Sequence, residues 1–180
     1  MKPEDRNIVL IGMPGCGKST VGKALANRLG REFFDSDAEF ESRSGTSISD
    51  FFAAEGENAF RREESRIIEN LGKKIHAVIS TGGGVVTRPE NIENLARNGF
   101  IVFLDRPLED IRITSDRPLT PDRESLKKKY TERYSLYCGA ANLHLETSGN
   151  EEETVTELLK ALTEQGLIRD SHKPGKAEKE

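Results

Sequence analysis

The sequence predicts one α/β domain, a three-layer sandwich in which helices cover both faces of a five-stranded parallel sheet. Short apolar runs alternate along the chain with segments whose apolar residues have helical spacing. The runs are apolar almost throughout, which is typical of strands buried on both faces. Residues suited to chemistry follow the predicted strands, and parallel sheets bind ligands at that edge.

The predicted strands occupy, in chain order, residues 7–11, 32–34, 77–80, 100–104 and 143–145. Helices are predicted between them. The first runs from Ser19 to a terminating Gly30, and a long one begins near Ser47. There is no internal repeat or linker, so residues 1–168 are predicted to form a single domain. Residues 169–180 have almost nothing apolar to bury and are predicted to be a disordered tail.

The composition argues against several classes of function. The 180 residues carry 27 Lys and Arg against 31 Asp and Glu, and this net charge of −4 disfavours nucleic-acid binding. No apolar stretch has the length of a membrane span, and the N-terminal residues lack a signal-peptide pattern. The two cysteines, Cys16 and Cys138, indicate neither a zinc site nor a disulfide framework. We expect a cytoplasmic monomer without nucleic-acid or membrane partners.

Residues 12–19 read Gly-Met-Pro-Gly-Cys-Gly-Lys-Ser and fit the G-x-x-x-x-G-K-S/T pattern of a phosphate-binding P-loop. The glycines let successive N–H groups turn toward one anion, and the following helix adds its partial positive charge. Lys18 can reach the β- and γ-phosphates, and the Ser19 hydroxyl can bind Mg²⁺. A glycine-rich turn without a ligand is the alternative, which the flanking strand and helix disfavour. The candidate ATP-binding residues of the loop are Gly12, Gly15, Cys16, Gly17, Lys18, Ser19 and Thr20.

Two acidic residues, Asp35 and Asp37, follow the second predicted strand. Beside a P-loop, one carboxylate can hold a water of a Mg²⁺ ion, and another can accept the proton of a substrate hydroxyl. The alternative is that one of them only caps the next helix. The neighbouring P-loop favours the functional interpretation.

Arg61 and Glu64 are i, i+3 neighbours on the long predicted helix, so Glu64 can hold the guanidinium in one orientation. An oriented arginine suits two-point binding of a carboxylate. A solvated helix face is the usual alternative, and it is the expectation for Arg62 and Glu63. The sequence leaves both interpretations open for Arg61, and equally for Arg133 on a later helix.

Gly82, Gly83 and Gly84 follow the third predicted strand, so a backbone without side chains can approach a ligand there. A flexible turn is the alternative. Residues at about 113–123 contain two prolines and Arg117, and are predicted to form a short lid that carries a cation over the transferring phosphate. The alternative for this segment is an ordinary surface loop.

Taken together, these segments resemble the shikimate kinases, which are small P-loop kinases related to the nucleoside-monophosphate kinases. The matching pieces run in family order between about residues 7 and 165. They are Gly12–Gly22, Phe34-Asp35-Ser36-Asp37, Ile48-Ser49-Asp50-Phe51-Phe52 with Glu55-Gly56-Glu57, Phe60-Arg61-Arg62-Glu63-Glu64, Ser80-Thr81-Gly82-Gly83-Gly84, Arg117-Pro118-Leu119, and Arg133-Tyr134-Ser135-Leu136-Tyr137. The P-loop alone fits many ATPases, but the combination in this order is specific.

The resemblance implies transfer of the ATP γ-phosphate to the 3-hydroxyl of shikimate, with Mg²⁺ as cofactor. For the nucleotide it implies that Lys18 and the loop N–H groups hold the phosphates. Ser19 would bind the metal directly, Asp35 would reach it through water, and Arg117 would close over the phosphates.

For the acceptor, the resemblance implies that Asp37 binds shikimate hydroxyls and orients or deprotonates the attacking one. Arg61 and Arg133 would clamp the carboxylate, and Gly82 and Gly83 would supply backbone contacts. These assignments make Lys18, Asp37 and Arg117 the candidate catalytic residues.

The sequence departs from the family pattern in the lid. Many relatives carry Arg-Arg before it, where one arginine packs on adenine, but this chain has Arg112 followed by Ile113, and the segment from 114 to 117 is short. A related small-molecule kinase, such as a gluconate kinase, is one alternative function. A non-catalytic P-loop module that senses nucleotide is another, but it would not need an arginine pair for a carboxylate.

Cys16 lies in the phosphate loop near a helix N-terminus and Lys18, surroundings that favour a thiolate. We therefore predict from the sequence that alkylation of Cys16 inactivates the protein and that alkylation of Cys138 does not affect its activity. A small residue tolerated at a variable loop position is the alternative.

Overall fold

The structure is a computed structural model that describes residues 2–111, 122–147 and 149–168. Its strands are β1 (Asn7–Ile11), β2 (Glu32–Asp35), β3 (Ala77–Ser80), β4 (Gly99–Asp105) and β5 (Leu143–Glu146). They form one parallel sheet in the order β2-β3-β1-β4-β5. The predicted five-stranded parallel sheet is therefore confirmed, with β2, β4 and β5 slightly longer than the apolar runs that predicted them.

Six α-helices lie within the described residues. They are α1 (Lys18–Leu29), α2 (Ser36–Ser44), α3 (Ile48–Gly72), α4 (Pro89–Asn98), α5 (Arg123–Ala140) and α6 (Glu151–Glu164). Gly30 ends α1 in the left-handed conformation, with φ of 63°. Ser47 begins α3, because its Oγ accepts a hydrogen bond from the Asp50 N–H at 3.0 Å. At Gly56, φ of 78° and ψ of 171° break α3 into two helical pieces.

The strand order places the helices on both faces of the sheet. The connection from β1 to β2 crosses the sheet in one direction, and those from β2 to β3, β3 to β4 and β4 to β5 cross it in the other. Because such crossovers are right-handed, α1 lies on one face and α2 to α5 lie on the opposite face. Contacts of α1 with α6, and of α3 with α2 and α4, agree with these two layers. The three-layer sandwich is confirmed.

The core is continuous through the centre of the sheet. Every residue of β1 and β3 is buried, as are the first six of β4. This burial explains why these strands are almost continuously apolar rather than alternating. Among the helices that the structure describes, none is long and apolar enough to cross a membrane.

Two sequence predictions fall largely outside the described residues. The predicted lid at 113–123 is described only from Asp122, whose side chain caps α5 by accepting the Ser125 N–H at 2.7 Å. Arg117, Arg112 and the predicted tail at 169–180 also lie outside the described ranges. The cation on the lid and the disordered tail stay predictions.

Two helical glycines, one closely packed and one without near neighbours, predict opposite effects on stability. A β-carbon on Gly72 would lie 2.4 Å from the Asn94 carbonyl oxygen, so Gly72→Ala is expected to cost about 1–3 kcal/mol in the free energy of unfolding. Gly139, in α5, has nothing within 4 Å of that position, so Gly139→Ala is expected to stabilise by roughly 0.5–1 kcal/mol. Urea unfolding of both variants measures this, and equal effects would contradict the packing.

Candidate active site

A cleft of about 1000 Å³ opens beyond the carboxyl ends of the strands. The connections turn in opposite directions on either side of β1, which is where such sheets bind ligands. The segments that follow β1, β2 and β3 therefore meet at one edge. Of the residues predicted to form the site, those that line the cleft are Gly15, Gly17, Lys18, Ser19, Thr20, Asp37, Arg61, Gly82, Gly83 and Arg133.

The loop between β1 and α1 has a backbone that only glycine adopts readily. Gly15 and Gly17 have φ of 82° and 97°. Gly12 has φ of 148°, and a β-carbon there would lie 2.5 Å from the Leu104 carbonyl oxygen. The loop therefore passes close to the end of β4 and turns into α1 at Gly17, the N-cap.

Lys18 is buried and folds back over its own loop. Its Nζ donates to the carbonyl oxygens of Gly12 at 3.0 Å and Met13 at 2.9 Å. These bonds hold the ammonium group beside the loop, at the N-terminus of α1. An anion bound by the loop N–H groups would lie beside this charge.

The structure argues against the reactivity predicted for Cys16, and the effect of its alkylation on activity stays a prediction. This side chain is buried, with 2% of its surface exposed, and its Sγ accepts a long hydrogen bond from Lys18 Nζ at 3.7 Å. Cys138 is the exposed thiol of the two. The loop covers the Cys16 side chain and so limits the access of reagents. The closeness of Cys16 to Lys18 in the sequence gave no indication of this burial.

Ser19 in α1 and Asp35 at the end of β2 are in direct contact. The Ser19 hydroxyl donates to Asp35 Oδ2 at 2.5 Å and lies 3.4 Å from the Ser80 hydroxyl oxygen. Asp35 Oδ1 accepts the N–H groups of Asp37 at 2.9 Å and Ala38 at 3.3 Å. Asp35 therefore caps α2 with one oxygen and faces the phosphate loop with the other. The capping interpretation of Asp35 is therefore confirmed, and its role at a metal ion stays a prediction.

Asp37 occupies an electrostatically unfavourable position for a carboxylate. Burial, and then the negative charges of Asp35 and Glu64, raise the pKa of Asp37 to about 6, although Lys18 and Arg61 oppose the rise. Gly82 makes the crowding possible, because a β-carbon there would lie 2.7 Å from Asp37 Oδ1 and 2.9 Å from Glu64 Oε1. A carboxyl group with such a pKa can exchange a proton near neutral pH.

Arg61 is held by two carboxylates, of which the i, i+3 spacing predicted Glu64. Its Nη1 donates to Glu64 Oε2 at 2.7 Å, and its Nη2 donates to Glu57 Oε1 at 3.4 Å. Only 7% of Arg61 is exposed, whereas Arg62 is exposed and Glu63 is half-buried. The guanidinium therefore belongs to the cleft wall rather than to a solvated helix face.

Glu64 has a second feature that the sequence reasoning missed. Burial raises the pKa of Glu64, and the Arg61 guanidinium opposes that rise. Its Oε1 is buried and has no hydrogen-bond partner among the residues described. This oxygen lies beside Gly82 and Asp37, so it is an acceptor available to a hydroxyl in the cleft.

Each of the three glycines after β3 has a different close neighbour. Gly82 faces the carboxylates, and a β-carbon on Gly83 would lie 2.5 Å from Pro14 Cδ. A β-carbon on Gly84 would lie 2.2 Å from both Nη atoms of Arg61, so the guanidinium packs directly against this residue. The sequence predicted close approach here, but it did not identify Gly84 as the support of Arg61.

Arg133 reaches the same cleft from α5. It is 4% exposed, and its Nη1 donates to the Gly83 carbonyl oxygen at 3.1 Å. Tyr137, one turn further along, donates its hydroxyl to the same oxygen at 2.5 Å. Burial raises the pKa of Tyr137, so the hydroxyl stays a donor. Tyr137 was not predicted as part of the site, although its i, i+4 spacing from Arg133 was a usable signal.

Comparison with known proteins gives a consistent family. A family model described as shikimate kinase matches residues 14–163. The shikimate kinase of Clostridium beijerinckii is 46% identical over 134 residues, which are 72% of this chain and 79% of that protein. The shikimate kinase of Actinobacillus succinogenes is 43% identical over 152 residues, covering 80% and 87%.

Solved structures agree with these relatives. The shikimate kinase from Acinetobacter baumannii in complex with shikimate has a TM-score of 0.86 at 34% identity, covering 91% of this chain and 96% of that one. The shikimate kinase from Aquifex aeolicus has a TM-score of 0.78 at 35% identity, covering 89% and 98%. A gluconokinase from Sinorhizobium meliloti has a TM-score of 0.53 at 18% identity, covering 95% and 100%, and shares only the fold.

Thiol labelling tests the burial of Cys16. Brief iodoacetamide treatment of the folded protein is expected to modify Cys138 and to leave Cys16 unmodified, because only the former is exposed. Peptide mass spectrometry measures both sites, and labelling in denaturant is the control for intrinsic reactivity. Faster labelling of Cys16 in the folded protein would contradict this geometry.

The raised pKa of Asp37 predicts a pH-dependent stability cost. Between pH 3.8 and about 6 folding takes up a proton at this group, so the ionised carboxylate destabilises the fold above this range. Asp37→Asn is therefore expected to increase the free energy of unfolding by about 1–3 kcal/mol at pH 8. The gain is expected to decline as the pH falls through 6 and to be absent below 4.

Urea unfolding between pH 4 and 8 measures this effect, with the exposed Asp110→Asn as the control. A gain that does not change with pH would show that the charge of Asp37 is not its origin.

Proposed function

Because this chain belongs to the shikimate kinase family, we propose that it transfers the γ-phosphate of ATP to the 3-hydroxyl of shikimate. The product, shikimate 3-phosphate, serves chorismate and aromatic amino-acid biosynthesis. One observation carries the proposal: buried Arg61 and Arg133 face the same cleft as the phosphate loop and Asp37. A carboxylate-bearing alcohol that accepts a phosphoryl group suits this arrangement.

The phosphate loop and Lys18 hold the ATP phosphates in this proposal. N–H groups of residues 12–20 bind the β- and γ-phosphates at the start of α1. Lys18 exchanges its bonds to the Gly12 and Met13 carbonyl oxygens for contacts to phosphate oxygens, which neutralises charge as the phosphoryl group moves. Arg117, on the proposed lid, would add a cation over the same group.

Ser19 and Asp35 fit a Mg²⁺ ion. A hydroxyl and a carboxylate are hard oxygen ligands, and magnesium that binds with ATP needs few protein ligands because it keeps several waters. In the described parts of the chain, no group of three or more His, Cys, Asp or Glu side chains could hold a metal. Ser19 would bind the ion directly and Asp35 through water. When bound, the ion neutralises negative charge on the phosphates.

Arg61 and Arg133 are proposed to bind the shikimate carboxylate. Glu64 and Gly84 fix the plane of the Arg61 guanidinium, and the bond to Gly83 orients Arg133. The longer contact of Arg61 with Glu57, at 3.4 Å, is the one most easily exchanged for substrate. Gly82 and Gly83 leave room for the ring of the acceptor to approach the backbone.

Asp37 is proposed to orient the 3-hydroxyl and to accept its proton. Asp37 lines the same cleft as Lys18 and Arg61, and the charges of both act on it. Its pKa of about 6 leaves it mostly ionised at neutral pH, yet makes it a stronger base than an ordinary aspartate. The proton would therefore move to Asp37 as the oxygen attacks the γ-phosphate.

The proposal extends to the rest of the protein. Residues 1–168 would act as one kinase domain, and the net charge of −4 agrees with small-molecule rather than nucleic-acid partners. We propose that the protein works in the cytoplasm as a monomer. A gluconate kinase is the less favoured function, since the similar gluconokinase shares the fold alone.

A phosphorylation assay with shikimate, gluconate or no acceptor tests the function, and Arg61→Lys tests the carboxylate site. We expect phosphoryl transfer with shikimate only. A lysine cannot make the planar two-point contact, so Arg61→Lys is expected to raise the Michaelis constant for shikimate by roughly 30- to 150-fold, equivalent to about 2–3 kcal/mol.

Arg62→Lys is the matched control, because Arg62 is the adjacent exposed arginine. Phosphorylation of gluconate, or ATP turnover that needs no acceptor, would overturn the proposed substrate. An unchanged Michaelis constant in Arg61→Lys would remove Arg61 from the carboxylate site.

A further inference from the structure

Arg106 is a cation in the cleft to which neither the sequence motifs nor the proposed mechanism assigns a role. It follows the last residue of β4 and lines the cleft together with the phosphate loop. Its Nη1 lies 4.0 Å from the position that a β-carbon on Gly17 would occupy. Gly17 is the N-cap of α1, so the guanidinium stands beside the N–H groups that begin this helix.

The strand order separates Arg106 from Asp37 and the glycine turn. Asp37 and the three glycines follow β2 and β3, which lie on one side of β1. Arg106 follows β4, on the other side of β1, and its Nη2 donates to the Gly149 carbonyl oxygen beyond β5 at 3.4 Å. A nucleotide whose γ-phosphate points toward Asp37 can extend its α-phosphate end from the loop toward the side where Arg106 lies.

Among the residues that the structure describes, Arg106 has few hydrogen-bond acceptors. Its Nε is buried and has no acceptor within the part of the chain that the structure describes. The one bond recorded there, to Gly149, is long. A guanidinium has five N–H donors and a permanent charge, so a partly buried one with so few acceptors gains from the arrival of an anion.

We propose that Arg106 binds the phosphate chain of the nucleotide, at its α-phosphate end. This inference rests on the proposed use of ATP. Lys18 and the loop N–H groups bind the β- and γ-phosphates. Arg106 lies beside the N-terminus of α1 on the β4 side, away from Asp37 and the glycine turn. A charge-assisted contact from Nη1 would then hold the polyphosphate from the β4 side.

Calorimetric binding of ADP and of inorganic tripolyphosphate tests the proposal in the absence of shikimate. Arg106→Gln keeps a donor for the Gly149 oxygen but removes the charge. It is expected to weaken both ligands on the order of tenfold. Arg106→Lys keeps a positive charge and is expected to recover part of the loss. Arg97→Gln, at an exposed position of α4, is the control and is expected to change neither affinity.

Two results would overturn the inference. Unchanged ADP affinity in Arg106→Gln would remove Arg106 from the nucleotide site. Weaker ADP binding with unchanged tripolyphosphate binding would place the contact on the nucleoside instead. Phosphorylation of shikimate by the wild-type protein tests the proposed function separately, since ADP binding does not depend on the identity of the acceptor.

Discussion

The close approach of backbone segments at the carboxyl edge of the sheet is the constraint on which the cleft depends. At Gly12, Gly82, Gly83 and Gly84 a β-carbon would lie 2.2 to 2.7 Å from a neighbouring atom. Those neighbours are the end of β4, a carboxylate of the cleft, a proline of the phosphate loop and the Arg61 guanidinium. A side chain at any of these positions would push the walls of the cleft apart. The walls must lie close together for one ligand to contact both.

This closeness also concentrates charge. Asp37 lies near Asp35, Glu64, Lys18 and Arg61, and burial removes much of the hydration of Asp37 and Glu64. The consequence is a carboxyl group, Asp37, whose ionised form is costly in the folded protein. Proteins retain such costs mainly at functional sites, because a displaced pKa is what proton transfer near neutral pH requires. The electrostatic strain and the proposed chemistry therefore have the same origin.

Several residues serve structure and site together. Asp35 caps α2 with one oxygen and faces Ser19 with the other, and the Gly83 carbonyl oxygen joins α5 to the glycine turn through Arg133 and Tyr137. These shared bonds hold α1 against the end of β2, and α5 against the glycine turn, although these segments are distant in the chain. Asp35 can therefore combine a structural role with a functional one, because its two oxygens have separate partners.

The sequence by itself determined the sheet, the phosphate loop and the family, because these depend on local signals: continuous apolar runs, a glycine pattern, and ordered motifs. It also predicted the Arg61–Glu64 pair, since residues three apart on a helix are neighbours. Only the tertiary structure decided that Cys16 is buried, that Gly84 supports Arg61, and that Arg106 faces Gly17. Those facts depend on contacts between segments distant in sequence, and they are settled only when the strands are ordered and the helices packed.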